Sequence, residues 1–91
     1  MARPKLSAAF GVVVRQHRAK RNLSQERLAE IADLHRNYVG MLERGECVAT
    51  LDVAERIAQG LGIKLEDLIG ETRRRLEAGT VVIPRRRRRR R

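Results

Sequence analysis

Between Leu23 and Gly45 the chain reads LSQERLAEIADLHRNYVGMLERG, and this stretch limits the folds open to it more than any other. Ser24 is an N-cap for a helix from about Gln25 to Ala32, and Leu23 is placed to staple onto Leu28 at N4. Leu28, Ala29 and Ala32 fall on one face at three- and four-residue spacing. Asp33 and Leu34 make a turn, with Leu34 as its apolar plug. A second helical pattern runs from about His35 to Arg44, with Val39 and Leu42 turned inward and Gly45 as its stop. Two short helices joined by so tight a turn cross at roughly 90 to 120°, which brings their backbones together. Ala29 is the small residue that such a crossing needs.

The flanks read as support for this pair. A chain of 91 residues buries enough surface for one small core and not for two. It is 42% hydrophobic, yet Phe10 and Tyr38 are its aromatics, so Leu, Ile, Val and Ala build the core, which favours a helical bundle over a sandwich or barrel. Residues 1–6, with Pro4 and two cations, read as a flexible arm. Ser7 opens helix one, which ends at Lys20 and turns Phe10, Val13 and Val14 inward with His17 on or beside that face. Thr50 caps a fourth helix, Leu51 to about Gln59, whose buried face is Leu51, Ala54, Ile57 and Ala58, and Gly60 and Gly62 end it. A short fifth helix covers Leu65 to Ile69, and ETRRRLEAG can add one or two turns to it. The expected fold class is therefore all-α: a five-helix bundle over 7–70, then an extension over 71–84 containing the isolated apolar run TVVI. An all-arginine tail over 85–91 is expected to be disordered, because like charges in sequence repel.

Charge points to a polyanionic partner, with a qualification. The formal net charge is +10, but Arg85 to Arg91 supply seven of those charges and leave +3 for the rest. The tail is compatible with phosphate contacts, with binding of RNA or acidic proteins, or with an appended sequence. The opening RPKLSAAFGVVV has the charges and apolar run of a secretory signal, but Ser7 and Gly11 interrupt the run and it flows into RQHRAKR without a small-residue cleavage site. No run approaches the ~18 apolar residues that span a bilayer, so a soluble, cytoplasmic protein without membrane contact is expected. Cys47 has no disulfide partner in the chain and no Cys/His group has zinc spacing; it reads as a small, half-buried apolar residue. The acids, His17 and His35 form no nucleophile–base or metal constellation. An enzyme is not expected, nor a metal or cofactor.

The outer face of the helix after the turn carries Arg36, Asn37, Tyr38, Gly40, Met41 and Arg44. Arginine can bond guanine O6 and N7 bidentately, and asparagine can do the same to adenine N6 and N7. These are side chains of the kind that read the major groove of double-stranded DNA.

With these elements placed, the sequence resembles the phage-repressor-like helix-turn-helix domains, which include phage repressors, Cro proteins and XRE-type bacterial regulators. The resemblance runs from Phe10 to Ile69 in three ordered blocks: FGVVVRQHRAKRNLSQERLA, ADLHRNYVGMLERGE and TLDVAERIAQGLGIKLEDLI. It implies that Gln25 bonds a DNA phosphate from a helix N-terminus, and that Arg36, Asn37, Gly40 and Met41 face the major groove. Tyr38 and Arg44 match positions near the sugar-phosphate backbone. Arg18 and Glu43 match a partly buried ion pair between helices one and three, while Arg15 remains available to a phosphate. Two positions depart from the family pattern. Asp33 stands where glycine is frequent, and His35 replaces a Ser or Thr cap; an imidazole caps poorly, which leaves open whether His35 caps the helix or points at DNA. The Tyr-bearing helix before an LERG-like ending also resembles the controller proteins of restriction-modification systems.

The resemblance implies a sequence-specific transcription regulator, bacterial or phage-encoded, acting as a homodimer on a two-fold related operator. Leu65, Ile69, Leu76, Val81, Val82 and Ile83 are the expected dimer surface. The alternative is an antitoxin or adaptor that uses the same fold as a scaffold for a protein partner.

Overall fold

A computed structural model describes residues 6–79, which form five α-helices and, among the described residues, no strand. They are α1 (Leu6–Lys20), α2 (Gln25–Ala32), α3 (Arg36–Glu43), α4 (Leu51–Leu61) and α5 (Leu65–Glu77). Residues 1–5 of the arm, Val81, Val82 and Ile83 of the expected dimer surface, and the tail 85–91 lie outside the described residues.

The helix starts follow local chemistry. Ser24 accepts a hydrogen bond from the Arg27 N–H at 2.9 Å, and Thr50 accepts one from Val53 N–H at 3.1 Å, each satisfying a donor that the first turn leaves without a helical partner. α5 starts at Lys64 without a side-chain cap, but Glu66 and Asp67 lie in its first turn, where carboxylates are favoured by the helix dipole. α2 ends at Asp33 in the left-handed region (φ 59°, ψ 51°), and the Leu34 N–H reaches back to Ala29 O at 2.8 Å. This is the Schellman closure usually made with glycine.

A single core holds the bundle. Leu28, Leu42, Ile57, Leu61 and Leu68 are buried with Val13, Val14 and Val39, and Leu23, Leu34, Ile63, Leu65 and Ile69 pack around them half-buried. Each large aliphatic side chain in this set contributes on the order of 1.5–3 kcal/mol of burial free energy. α1 lies against α3 and α5, while α2 packs on α3 and α4, so α3 is held from behind by two helices.

Two boundaries and one burial differ from the sequence expectation. α1 begins at Leu6, which places Ser7 inside the helix rather than at its cap. α4 continues through Gly60 to Leu61, with Gly62 (φ 74°) as its left-handed cap; Gly60 is tolerated inside because Leu28 and Ile31 of α2 approach its backbone closely. α5 runs on to Glu77, taking up the further turns that ETRRRLEAG allows, and crosses position 70 without a break. Its second half is anchored by Thr72, fully buried with its hydroxyl donated to Leu68 O at 2.8 Å, and by a His17–Glu71 contact to α1. Leu51, expected in the core, is 76% exposed. It shares a face with Ala54 and Ile57 but stands at the first position of α4, where the helix overhangs the core.

The closest backbone approach is between α1 and α3. A Cβ on Gly11 would fall inside contact distance of Leu42 O and 2.9 Å from Glu43 O. Because those atoms are backbone, α1 would have to move as a unit. Gly11→Ala is therefore expected to destabilise the domain by about 2–3 kcal/mol, read as a fall in Tm of roughly 8 °C or more. A melt indistinguishable from wild type would mean that the interface gives way more easily than this packing implies.

Candidate nucleic-acid interface

The geometry of α3 begins at the turn. Asp33 carries the left-handed conformation, and Arg56 of α4 donates from Nη1 to the Asp33 carbonyl at 3.3 Å. Leu34 is half-buried against the core as expected of the plug. Of the two roles open to the next residue, the structure shows the cap: His35 is the N-cap of α3, and its Nδ1 accepts from the Asn37 N–H at 3.2 Å. In the extended conformation of a cap (φ −74°, ψ 139°) the ring folds back over the first turn. That cap commits one ring nitrogen to the helix, although the side chain remains exposed.

The far end of α3 is fixed by a buried carboxylate. The Glu43 side chain is 2% exposed and accepts three hydrogen bonds: Arg18 Nε at 2.6 Å, Arg18 Nη2 at 3.0 Å and Gln25 Nε2 at 3.0 Å. Arg18 also donates through Nη1 to Leu23 O at 2.8 Å. The hydrogen bonds to Glu43 hold the Arg18 guanidinium above its ordinary pKa against the opposing effect of burial. α1, the loop before α2, the start of α2 and the end of α3 thus meet on one charge-assisted cluster. Gln25 is oriented by it, with one amide N–H given to Glu43.

Between these two anchors α3 presents its outer side. Arg36, Asn37, Met41 and Arg44 are exposed, while Val39 and Leu42 on the reverse are fully buried. Gln25, Arg36, Asn37, Gly40, Met41, Arg44 and Glu46 line one shallow concavity, and Arg15 joins Arg18, Gln25, Glu43 and Arg44 around a neighbouring one. Two residues of the expected face are less open than their spacing suggests. Gly40 is buried, because the Arg44 and Gln25 side chains lie over it. Tyr38 is half-buried against the core and donates its hydroxyl to Val48 O at 3.3 Å. Burial, with the neighbouring Cys47, pushes the Tyr38 phenol up, and burial pushes the Cys47 thiol up as well, so both stay protonated at neutral pH. Cys47 packs as a half-buried apolar residue.

Glu46 and Arg56 have roles that periodicity does not reveal. Glu46 takes Arg44 in a fork, Nε to Oε2 at 3.0 Å and Nη2 to Oε1 at 3.2 Å. Its only signal in sequence is an acid two residues after an arginine, across a glycine. Of the expected dimer residues that are described, Leu65 and Ile69 lean on the core and Leu76 is half-buried. Ile69 also lines an apolar groove of about 210 Å³ with Leu6, Phe10, Val48, Leu51 and Thr72. Among the described residues no helix is long and apolar enough to cross a membrane, and no group of His, Cys, Asp and Glu is placed to hold a metal ion.

Two helices with a left-handed turn between them, an exposed basic face on the second and a first helix whose N-terminus lies beside that face define a helix-turn-helix reader. The helix-turn-helix family model matches residues 14–68, and the chain belongs to this family of DNA-binding transcription regulators. It is 47% identical over 64 residues to the control protein C.BamHI of Bacillus amyloliquefaciens, covering 69% of this chain and 79% of that one. Among solved structures it is similar to the restriction-modification controller protein C.AhdI of Aeromonas hydrophila, at 38% identity and a TM-score of 0.65, covering 69% and 94% of the two chains. It is also similar to the clp gene regulator ClgR of Corynebacterium glutamicum, at 26% identity and a TM-score of 0.78 over 87% and 86%. These relatives are regulators rather than enzymes.

Removing the shared acceptor should release the whole cluster. Glu43→Ala leaves the Arg18 guanidinium, 17% exposed, and the Gln25 amide without their partner, and is expected to cost about 2–4 kcal/mol. Glu43→Gln, which keeps the shape and one acceptor, should cost clearly less. Urea denaturation of the two variants measures the difference; equal losses would show that the charge, absent from both, decides the cost and that the retained shape and acceptor contribute nothing.

Proposed function

We infer that the chain regulates transcription by binding, as a homodimer, an operator made of two two-fold related half-sites. The observation that carries this reading is the polarity of α3: Val39 and Leu42 seal its inner side, while Arg36, Asn37 and Met41 stand exposed beside Gln25 at the start of α2. In the major groove, Arg36 is suited to guanine and Asn37 to adenine, and Met41 offers an apolar surface to a thymine methyl. Gln25 retains a second amide N–H for a phosphate, and Arg15 and Arg44 flank it as further phosphate partners. His35 caps the start of α3, Tyr38 ties its first turn to the loop at Val48, and both contribute to DNA contact from the rim. Gly40, being buried, serves by leaving room for the Arg44 and Gln25 side chains that lie over it. As a regulator of this kind it works in the cytoplasm, where the DNA is.

One recognition helix spans too few base pairs to be selective in a genome, so two half-sites roughly 34 Å apart are required. The second copy seats on the apolar groove between α1, α4 and α5. Its rim supports this choice: Val48 is 73% and Leu51 is 76% exposed, and Ile69 continues the apolar lining. An acid at position 51 faces water in the monomer but becomes buried in such a dimer. Leu51→Glu should therefore leave the melting curve of the isolated fold nearly unchanged, shift sedimentation at tens of micromolar towards monomer, and weaken binding to a paired site more than to a single half-site.

Selection of bound sequences from random DNA at near-physiological salt tests the reading as a whole. A two-fold symmetric motif is expected, and Arg36→Ala should relax it at one position per half-site by about 1–3 kcal/mol. If no motif is recovered, or Arg36→Ala changes nothing, the fold serves instead as a scaffold for a protein partner.

A further inference from the structure

An acid stands on the rim of the basic face. Arg44, the C-cap of α3, gives its Nε and Nη2 edge to Glu46, and both side chains are about half exposed. The backbone places Glu46 firmly: Gly45 turns through φ +74°, and Glu46 N–H donates to Met41 O at 2.9 Å. With the Nε/Nη2 edge directed at the carboxylate, the remaining terminal nitrogen, Nη1, lies over Gly40, 3.2 Å from where a Cβ would stand, and the Gln25 amide oxygen lies 3.5 Å from the same point. Nη1 therefore lines the concavity formed with Arg36, Asn37 and Met41.

A carboxylate in this position repels any polyanion that approaches, whatever its sequence. What it gives in return depends on register. Arginine has many rotamers, and ordering such a side chain at an interface costs binding free energy. A planar fork that fixes the guanidinium beforehand removes that cost only where the partner's acceptor lies in line with Nη1. We propose that Glu46 is a positioning residue for DNA recognition: it holds Arg44 by the Nε/Nη2 edge so that Nη1 is the donor presented to the operator, and thereby raises discrimination between cognate and non-cognate duplex. The proposal rests on the reading of this face as the DNA-contacting one.

The test uses the full chain, the duplex recovered by selection and the same duplex with both half-sites scrambled. Glu46→Ala removes charge and fork; Glu46→Gln removes the charge but keeps one acceptor. Affinity for scrambled DNA should rise in both. The ratio of selected to scrambled affinity should fall roughly two- to tenfold in Glu46→Ala, the range expected when one long side chain must be ordered on binding, and less in Glu46→Gln. In an Arg44→Ala background the same substitutions should leave the ratio where Arg44→Ala alone sets it. An unchanged ratio in Glu46→Ala overturns the proposal, as does a fall that persists without Arg44. If Arg44→Ala weakens binding to the selected duplex while Glu46→Ala leaves the ratio intact, the DNA-binding reading stands and the positioning role alone fails. If no duplex is selected, both fail.

Discussion

The Glu43 carboxylate is the constraint on which the rest of the reading head depends. A carboxylate only 2% exposed has lost its water partners and needs donors from the protein, and it has three, from Arg18 and Gln25. Removing ions from water costs about as much as their attraction returns, so such a pair contributes little net stability while breaking it is expensive. Its value is geometric. The donors come from α1 and α2 and the acceptor from α3, so the recognition helix can settle at one depth and one rotation. The same cluster orients Gln25, which links structural anchoring to the exposed face of α3 in one hydrogen-bonded unit.

The depth of α3 is set on its other side by the absence of a side chain. Gly11 lets α1 rest directly on the carbonyls of Leu42 and Glu43, which brings Arg18, two helical turns further along α1, within reach of the carboxylate. Glycine inside a helix ordinarily weakens it by about 1 kcal/mol; here the close packing of α1 on α3 that it permits offsets that loss. Packing and electrostatics thus specify the same arrangement of α1 on α3.

Much of this is legible in sequence because it is local or periodic. Ser24 and Thr50 are good caps wherever a helix follows, and Val39 and Leu42 fall at helical spacing. Asp33 is among the residues that accept a left-handed turn. The pairing of Arg18 with Glu43 is different: nothing in spacing links residues so far apart, and family resemblance alone suggests it. The differences also have common causes. Leu51 has core periodicity, but periodicity does not say where a helix outruns its neighbours. The added turns of α5 are allowed by ETRRRLEAG, but the partner that Glu71 finds on α1 to anchor them lies in no window of sequence. For His35 the usual preference for Ser or Thr leaves the cap undecided, yet its Nδ1 supplies the same acceptor one ring further out. Gly40 and Tyr38 lie on the outer arc of α3, but long neighbours cover the first and the Val48 carbonyl engages the second.

The bond from Arg56 to the Asp33 carbonyl concerns the portability of the motif. The stretch Leu23–Gly45 looks like a cassette, carrying its own caps, turn and reading surface. Yet its turn is clamped from α4, its last carboxylate is satisfied from α1, and its tyrosine is held by the loop beyond it. Transplanted alone, it would carry the letters of recognition without the frame that spaces them. The smallest transferable unit therefore begins in α1 and ends in α4, which makes the helix-turn-helix here a property of the domain and not of the two helices that give it its name.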